Sequence, residues 1–211
     1  MLTDLYLIRH GQSVANVSPV VGGMRGDAGL TDLGRQQAGR LEERLRAEQF
    51  RADVLYTSTL PRALETSEFV ARALDLPAVG DDGLQELRPG EADGLSLADW
   101  RAAYPPVGTG PIEDPFEPFS PGGESWATFI PRAGAALARL LTHHEGERVV
   151  AVTHGGVVEA SFYLALGLGA TGVRTTFAPA NTSITHWQHQ HTPTGHRAWT
   201  LIRFNDARHL T

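Results

Sequence analysis

Apolar residues in this chain fall into short continuous runs that alternate with helical repeats. The first run, Leu5-Tyr6-Leu7-Ile8, is bounded by polar positions and reads as a buried strand delivering Arg9-His10-Gly11-Gln12-Ser13 at its carboxyl end. A glycine-rich loop from Pro19 to Gly29, containing Arg25, leads into a helix opening at Leu30-Thr31-Asp32. Thr31 is its expected N-cap, and Ala38, Leu41 and Leu45 mark one face. Gly34 and Gly39 weaken this helix and predict close packing against a neighbour. Asp53 to Ser58 reads as a second strand, with Ser58 or Thr59 capping the next helix and Pro61 in its first turn. Ala63, Val70, Ala73 and Leu74 line the buried side of that helix.

Ala78 to Asp82 is a further candidate strand, and Glu86 follows it. The pattern then breaks. Ser96 to Tyr104 is a short amphipathic piece, and Tyr104 to Gly123 carries six prolines with Phe116, Phe119 and several acids. A loop of that length inside a compact domain reads as a lid or binding loop, placed at about 95–124. Helical spacing resumes from Ser125 to Thr142. Arg148 to Thr153 is then a buried-type strand ending in His154-Gly155-Gly156, with a helix directly after it. Thr182 to Gln190 and Trp199 to Phe204 read as two strands joined by a turn containing Pro193 and Gly195. The order of elements predicts right-handed crossovers and a parallel sheet in one α/β domain.

Composition narrows the function. A net charge of −6 over 211 residues argues against a general nucleic-acid or membrane-surface binder, so positive charge must act locally. No cysteine is present, which rules out disulfides, thiolate nucleophiles and zinc ribbons. All 18 basic residues are arginine, and the absence of lysine excludes P-loop and Schiff-base chemistry. Asp4 precedes an apolar run of only four residues and Arg9 follows it, too short a run for a signal peptide. The apolar stretch from Val157 to Val173 is broken by Glu159 and glycines, so it reads as a core helix rather than a membrane span. The expectation is a cytoplasmic protein. His186, His189, His191 and His196 around the last hairpin have neither cysteine nor a clear carboxylate partner. They read as exposed histidines, not as a metal site.

Parallel strands bring their carboxyl ends to one edge, where open α/β sheets hold ligands. That edge would collect Arg9, His10, His154 and Arg62, with Glu86 within reach. Arginine pairs bind phosphate bidentately, and the helix starting after His154 adds amides backed by its dipole. Two guanidiniums, two imidazoles and one carboxyl make a dianion site with an acid beside it.

These residues resemble the histidine phosphatase superfamily, which includes the cofactor-dependent phosphoglycerate mutases. Arg9-His10-Gly11-Gln12-Ser13 looks like its defining motif. Asn16 falls where the family has a phosphate-contacting Asn, and Leu30-Thr31 with Gly34, Gln37 and Ala38 is similar to the next block. Ser58 to Ala63 with Thr66 is similar to the second arginine motif, Leu84, Glu86, Gly90 and Gly94 to the acid block, and His154-Gly155-Gly156 to the second histidine motif. Ala92 and Asp93 stand where relatives often carry an aromatic.

The resemblance spans nearly the whole chain and implies a single domain over 1–211. Its fold would be three-layer α/β, with a mostly parallel central sheet and helices on both faces. It also implies a phosphatase without metal or cofactor: His10 as nucleophile, Glu86 as proton donor and acceptor, and Arg9, Asn16, Arg62, His154 and Gly155 on the phosphate. The implied partner is a small phosphorylated metabolite, and a homodimer is the family-level expectation. Arg25, Glu124 and Ser125 are the expected substrate-pocket residues. Phe116 and Phe119 beside Glu113, Asp114 and Glu117 would form a wall favouring a neutral or sugar-like leaving group. A mutase is the alternative, but the acid block runs straight into Ser96-Leu97-Ala98-Asp99-Trp100 without the segment mutases insert there. A phosphate sensor without catalysis is the third reading.

Overall fold

The computed structural model describes residues 1–105, 114–169, 176–191 and 197–211, except for the side chains of residues 191 and 197. Strand β1 (Leu2–Arg9) is followed by a single-turn helix α1 (Val14–Val17) and by α2 (Asp32–Ala47). Then come β2 (Val54–Thr57), α3 (Pro61–Leu74), the short β3 (Ala78–Gly80) and α4 (Leu97–Ala103). The chain continues with α5 (Trp126–His143), β4 (Arg148–Thr153), α6 (Gly155–Leu166), β5 (Ile184–His191) and β6 (Arg197–Asp206). The six strands form one sheet in the order β3-β2-β4-β1-β5-β6. β1 to β4 are mutually parallel, while β5 runs antiparallel to both of its neighbours.

Alternation along the central strands builds two cores. Leu5 and Leu7 of β1, with Val149 and Ala151 of β4, pack under α5 and α6 around Phe129 and Leu137. Ile8, Val150 and Val152 face the other way, against Leu41 and Leu45 of α2 and Ala63 and Val70 of α3. This is the three-layer arrangement expected from the sequence. Truncating a fully buried leucine such as Leu5 or Leu7 to alanine is expected to cost about 2–5 kcal/mol.

The adjacent strands β1 and β4 send their following helices, α2 and α6, to opposite faces of the sheet. Between their carboxyl ends lies a topological switch point, where such sheets leave a crevice.

Several local expectations are refined. Thr31 caps α2 by accepting the Gly34 N–H. Gly34 is as crowded as predicted, since a Cβ there would collide with the Gln12 carbonyl; Gly39 has open space around it. The N-cap of α3 is Leu60, without a side-chain cap bond; Ser58, two residues before it, accepts the Leu60 N–H at 3.3 Å and also meets His154. The expected exposure of the hairpin histidines is corrected for two of them. His186 stacks on Tyr6 and meets Asp4 Oδ1 through Nε2 at 2.6 Å, while His189 is buried edge-on to Trp199. His191 as a side chain and His196 lie outside the described residues, as do Pro193 and Gly195 of the expected turn. α6 ends at Gly167 in a left-handed conformation (φ 65°), and no helix among the described residues is long and apolar enough to cross a membrane.

Candidate active site

Register brings the two histidines together. The β1–β4 pairing ends with Arg9 opposite Thr153, so His10 and His154 emerge side by side with ring centroids 5.1 Å apart. The same register through β2 sets Ser58 beside them, its N–H donating to Val152 O. A cavity of about 300 Å³ opens at this edge, lined by Arg9, His10, Asn16, Arg62, Glu86, Gly155, Gly156 and Glu159, with Ala178 and Pro179 on the far side. That volume suits a small metabolite rather than a polymer.

Arg62, in the first turn of α3, organises the base of the cavity. Its Nε–H is shared between His10 Nε2 at 3.1 Å and His154 Nδ1 at 3.2 Å. A guanidinium nitrogen donates and never accepts, so both ring nitrogens must present lone pairs. His10 therefore carries its hydrogen on Nδ1, donated to Gly11 O at 2.6 Å. His154 carries its hydrogen on Nε2, donated to Ser58 Oγ at 2.7 Å. Burial, reinforced by the Arg62 charge, holds both imidazoles well below the ordinary histidine value, so both are neutral near physiological pH. Arg62 is itself fixed by Asp27, whose fully buried carboxylate takes Nη1–H at 2.9 Å and the backbone N–H at 3.2 Å.

Arg9 leans over the opposite wall. Its Nη1 donates to Pro179 O, while its Nε is buried with no partner among the described residues. A buried orphan donor of this kind calls for an acceptor, and a ligand oxygen in the cavity supplies one. Glu86 accepts the Leu87 N–H at 3.0 Å and, through Oε2, the Gly156 N–H at 2.9 Å. The latter bond ties the carboxyl to the first turn of α6, whose N-terminal amides and dipole favour an anion. Only glycine fits at 156: a Cβ there would strike Glu86 Oε1 and the Phe129 ring. The loop before β5 closes the site from above. Asn181 Nδ2 donates to His10 O at 2.9 Å, and Thr182 N–H donates to Arg9 O at 2.9 Å.

The arrangement is a neutral imidazole with a ring-nitrogen lone pair at the base of a hydrogen-bond-rich cavity lined by two guanidiniums, Arg9 and Arg62, and two carboxyls, Glu86 and Glu159. Residues 5–206 match the histidine phosphatase superfamily (branch 1). The chain belongs to this family.

Relatives of this histidine phosphatase carry two kinds of name. The metal-independent phosphoserine phosphatase of Arabidopsis thaliana is 29% identical over 212 residues, covering 100% of this chain and 84% of the relative. A 2,3-bisphosphoglycerate-dependent phosphoglycerate mutase of Methylobacterium is 32% identical over 169 residues, covering 78% of this chain and 81% of the relative. Among solved structures, a mycobacterial glucosyl-3-phosphoglycerate phosphatase complexed with VO3 superposes with a TM-score of 0.78 at 27% identity. That match covers 96% of this chain and 98% of the other.

The cavity of this histidine phosphatase thus gathers Arg9, His10, Asn16, Arg62, Glu86 and Gly155 from the expected residues, with His154 on Arg62 at its base. Arg25, Glu124 and Ser125 are placed elsewhere and do not line it. Arg25 is largely exposed and reaches the carbonyls of Gly90 and Glu91, and Glu124 forms a two-pronged ion pair with Arg132 at 2.6 and 2.7 Å. Ser125 caps α5 in a reciprocal box with Thr128. The expected aromatic and acidic wall does not line it either: Phe116 is exposed, Phe119 stacks on Trp100, and Glu113 lies outside the described residues.

Sequence reasoning missed Asp27, the role of Ser58, and Glu159. The Glu159 carboxylate reaches the cavity and accepts the Phe177 N–H at 3.2 Å. A signal existed for two of them. Ser58 ends a strand just as His10 and His154 do, and Glu159 stands four residues after Gly155, on the same helix face.

Proposed function

We propose that this histidine phosphatase hydrolyses phosphomonoesters of small metabolites in the cytoplasm through a phosphohistidine on His10. The observation that carries the reading is the His10 tautomer: Nδ1–H is held by Gly11 O, which leaves Nε2 with a lone pair that accepts the Arg62 Nε–H at the base of the cavity. In the first step Nε2 bonds to phosphorus as the ester P–O bond breaks, and Glu86 gives its proton to the departing oxygen. In the second, water attacks phosphorus and passes a proton to Glu86. The N–P bond then breaks, its electron pair returns to Nε2, and orthophosphate leaves. Arg9, Arg62, Asn16, His154 and the Gly155 amide hold the non-bridging oxygens throughout, which is where most of the barrier lowering in phosphoryl transfer arises.

The chain functions on this reading as one domain over 1–211, with 95–124 as a lid. Trp100 stacked on Phe119, and Glu124 bonded to Arg88 N–H, support the lid by anchoring both described ends of the segment beside the acid block.

Hydrolysis of p-nitrophenyl phosphate in EDTA, abolished in His10→Ala, is the expected result. Retention of activity in that variant would overturn the reading. Mutase-named relatives give a second reading its footing. It predicts interconversion of 2- and 3-phosphoglycerate faster than phosphate release; the hydrolase reading predicts the reverse.

A further inference from the structure

The backbone around His10 is gripped from two sides. Gly11 N–H donates to Thr66 Oγ1 at 3.0 Å, and His10 O accepts the Asn181 Nδ2–H at 2.9 Å. The preceding carbonyl, Arg9 O, accepts the Thr182 N–H at 2.9 Å. The following one, Gly11 O, orients the His10 ring through Nδ1. Rotation of the peptide groups flanking His10 would tilt the ring, and Asn181 and Thr182 oppose it.

Thr182 does this in a conformation that its side chain disfavours. Its φ is 56°, in the left-handed region, where a β-branched residue crowds the backbone. Neighbouring groups must hold it there. Thr182 Oγ1 donates to Asn181 O at 2.8 Å and meets His209 Nε2 at 2.9 Å, in the C-terminal turn Arg208–Leu210.

The direction of that second contact is settled by Arg44 of α2. Its Nη1 lies 3.3 Å from His209 Nδ1, and a guanidinium only donates, so Nδ1 presents a lone pair. The neutral ring then carries its hydrogen on Nε2 and gives it to Thr182 Oγ1. Donors run one way, from Arg44 through His209 and Thr182 to Asn181 O. At the end of β6, Asn205 Oδ1 anchors the same loop by accepting the Ala180 N–H at 2.7 Å.

We propose that His209 is a positioning residue for the nucleophile: by donating to Thr182 Oγ1 it holds the loop 178–182 against the backbone of His10. The C-terminal turn thereby completes a site whose reacting atom lies near the start of the chain. The inference rests on the phosphatase reading, in which His10 attacks phosphorus.

Other contacts of the turn have a different task. Arg208 Nη2 binds Glu48 at 2.6 Å, and Arg40 donates to Leu210 O at 3.2 Å. Both bonds are exposed and dock the turn on α2 without touching the loop, so they provide a control.

The test is steady-state hydrolysis of p-nitrophenyl phosphate by the full chain, at a temperature where thermal melts show every variant folded. His209→Ala is expected to lower kcat by ~10-fold or more, the scale for a lost supporting partner. His209→Gln, which keeps an N–H donor at similar reach, is expected to recover most of it. Arg208→Ala should lower the melting temperature and leave kcat close to native. In a Thr182→Gly background the left-handed conformation needs no support, so removing His209 is expected to cost no further activity. Four results would each overturn the proposal and leave hydrolysis standing. They are native kcat in His209→Ala, no recovery in His209→Gln, an equal kcat loss in Arg208→Ala, and the same His209→Ala loss with and without Thr182→Gly. Absence of turnover in the native chain would instead overturn the phosphatase reading itself.

Discussion

The carboxylate of Asp27, buried at the end of the glycine-rich loop, receives both the Nη1–H and the backbone N–H of Arg62. Arg62 carries the only N–H that touches both histidines among the bonds of the described residues, so Asp27 sets the geometry of the nucleophile through one intermediary. Asp27→Asn is expected to retain the fold and to lower kcat on p-nitrophenyl phosphate by ~10- to 100-fold, the usual scale for a lost supporting partner. Asp27→Ala, which strands a buried guanidinium, is expected to lose ~3–5 kcal/mol of stability as well. Urea unfolding and steady-state kinetics measure the two effects separately. An unchanged kcat in Asp27→Asn would show that Arg62 holds itself.

Glu86 and Gly156 make a second prediction. Glu86→Gln removes the proton donor, and a general acid matters most when the leaving group is a poor one. The expected loss is ~10²- to 10⁴-fold on β-glycerol phosphate and clearly smaller on p-nitrophenyl phosphate, whose leaving group departs without help. Gly156→Ala should give the same leaving-group-dependent pattern, since the added methyl displaces the carboxyl. Equal losses on both substrates would contradict the acid role.

Two glycines in α2 separate packing from propensity. Gly34 abuts the Gln12 carbonyl next to the His10 motif, so Gly34→Ala is expected to destabilise the protein and depress activity together. Gly39 has nothing within reach of a Cβ, so Gly39→Ala should stabilise by ~0.5–1 kcal/mol through helix propensity alone. Thermal melts of the two variants, moving in opposite directions, check this.

Acid sensitivity is written into the C-terminal docking site. Arg44 binds Asp206 through two N–H groups and also meets His209, whose Nε2 touches Thr182 Oγ1. Burial, and then the Arg44 charge, lower His209 to about 4, while Arg44 and the Arg208 N–H pull Asp206 down to about 2 despite its partial burial. Between the folded value near 4 and the ordinary histidine value of 6.5, the unfolded chain binds the extra proton. Stability from His209 is therefore full above that ordinary value and lost as pH falls towards about 4. Asp206 adds a second loss between 3.8 and about 2. His209→Gln should flatten the first part of the profile in urea titrations. A slope unchanged by that substitution would contradict the assignment.

The sequence carried the chemistry better than the pocket. His10, Arg62, Glu86 and His154 were legible because each follows a strand or opens a helix at one sheet edge, and parallel pairing makes that edge common. The substrate wall was not. Glu124 and Ser125 sit in a segment rich in acids and aromatics, but the first is neutralised by Arg132 and the second is consumed as a helix cap. Local hydrogen-bonding demand at a helix start outweighs any outward role, and composition does not reveal it. His186 reads as exposed from the sequence because hairpins are usually so on one face; its partner Asp4 lies on the neighbouring strand β1, 182 positions away in the chain. Asp27 escaped notice for the same reason, since its partner is reached only in the folded chain.

The central claim is that His10 Nε2 forms a bond to phosphorus. Rapid quenching of the enzyme during turnover of a phosphomonoester, followed by peptide mapping under alkaline conditions, tests it directly. The expected result is an acid-labile phosphoramidate on the peptide containing His10, formed as fast as turnover requires and missing in His10→Ala. Phosphate found on another residue, or turnover at the native rate with His10 never modified, would contradict the account.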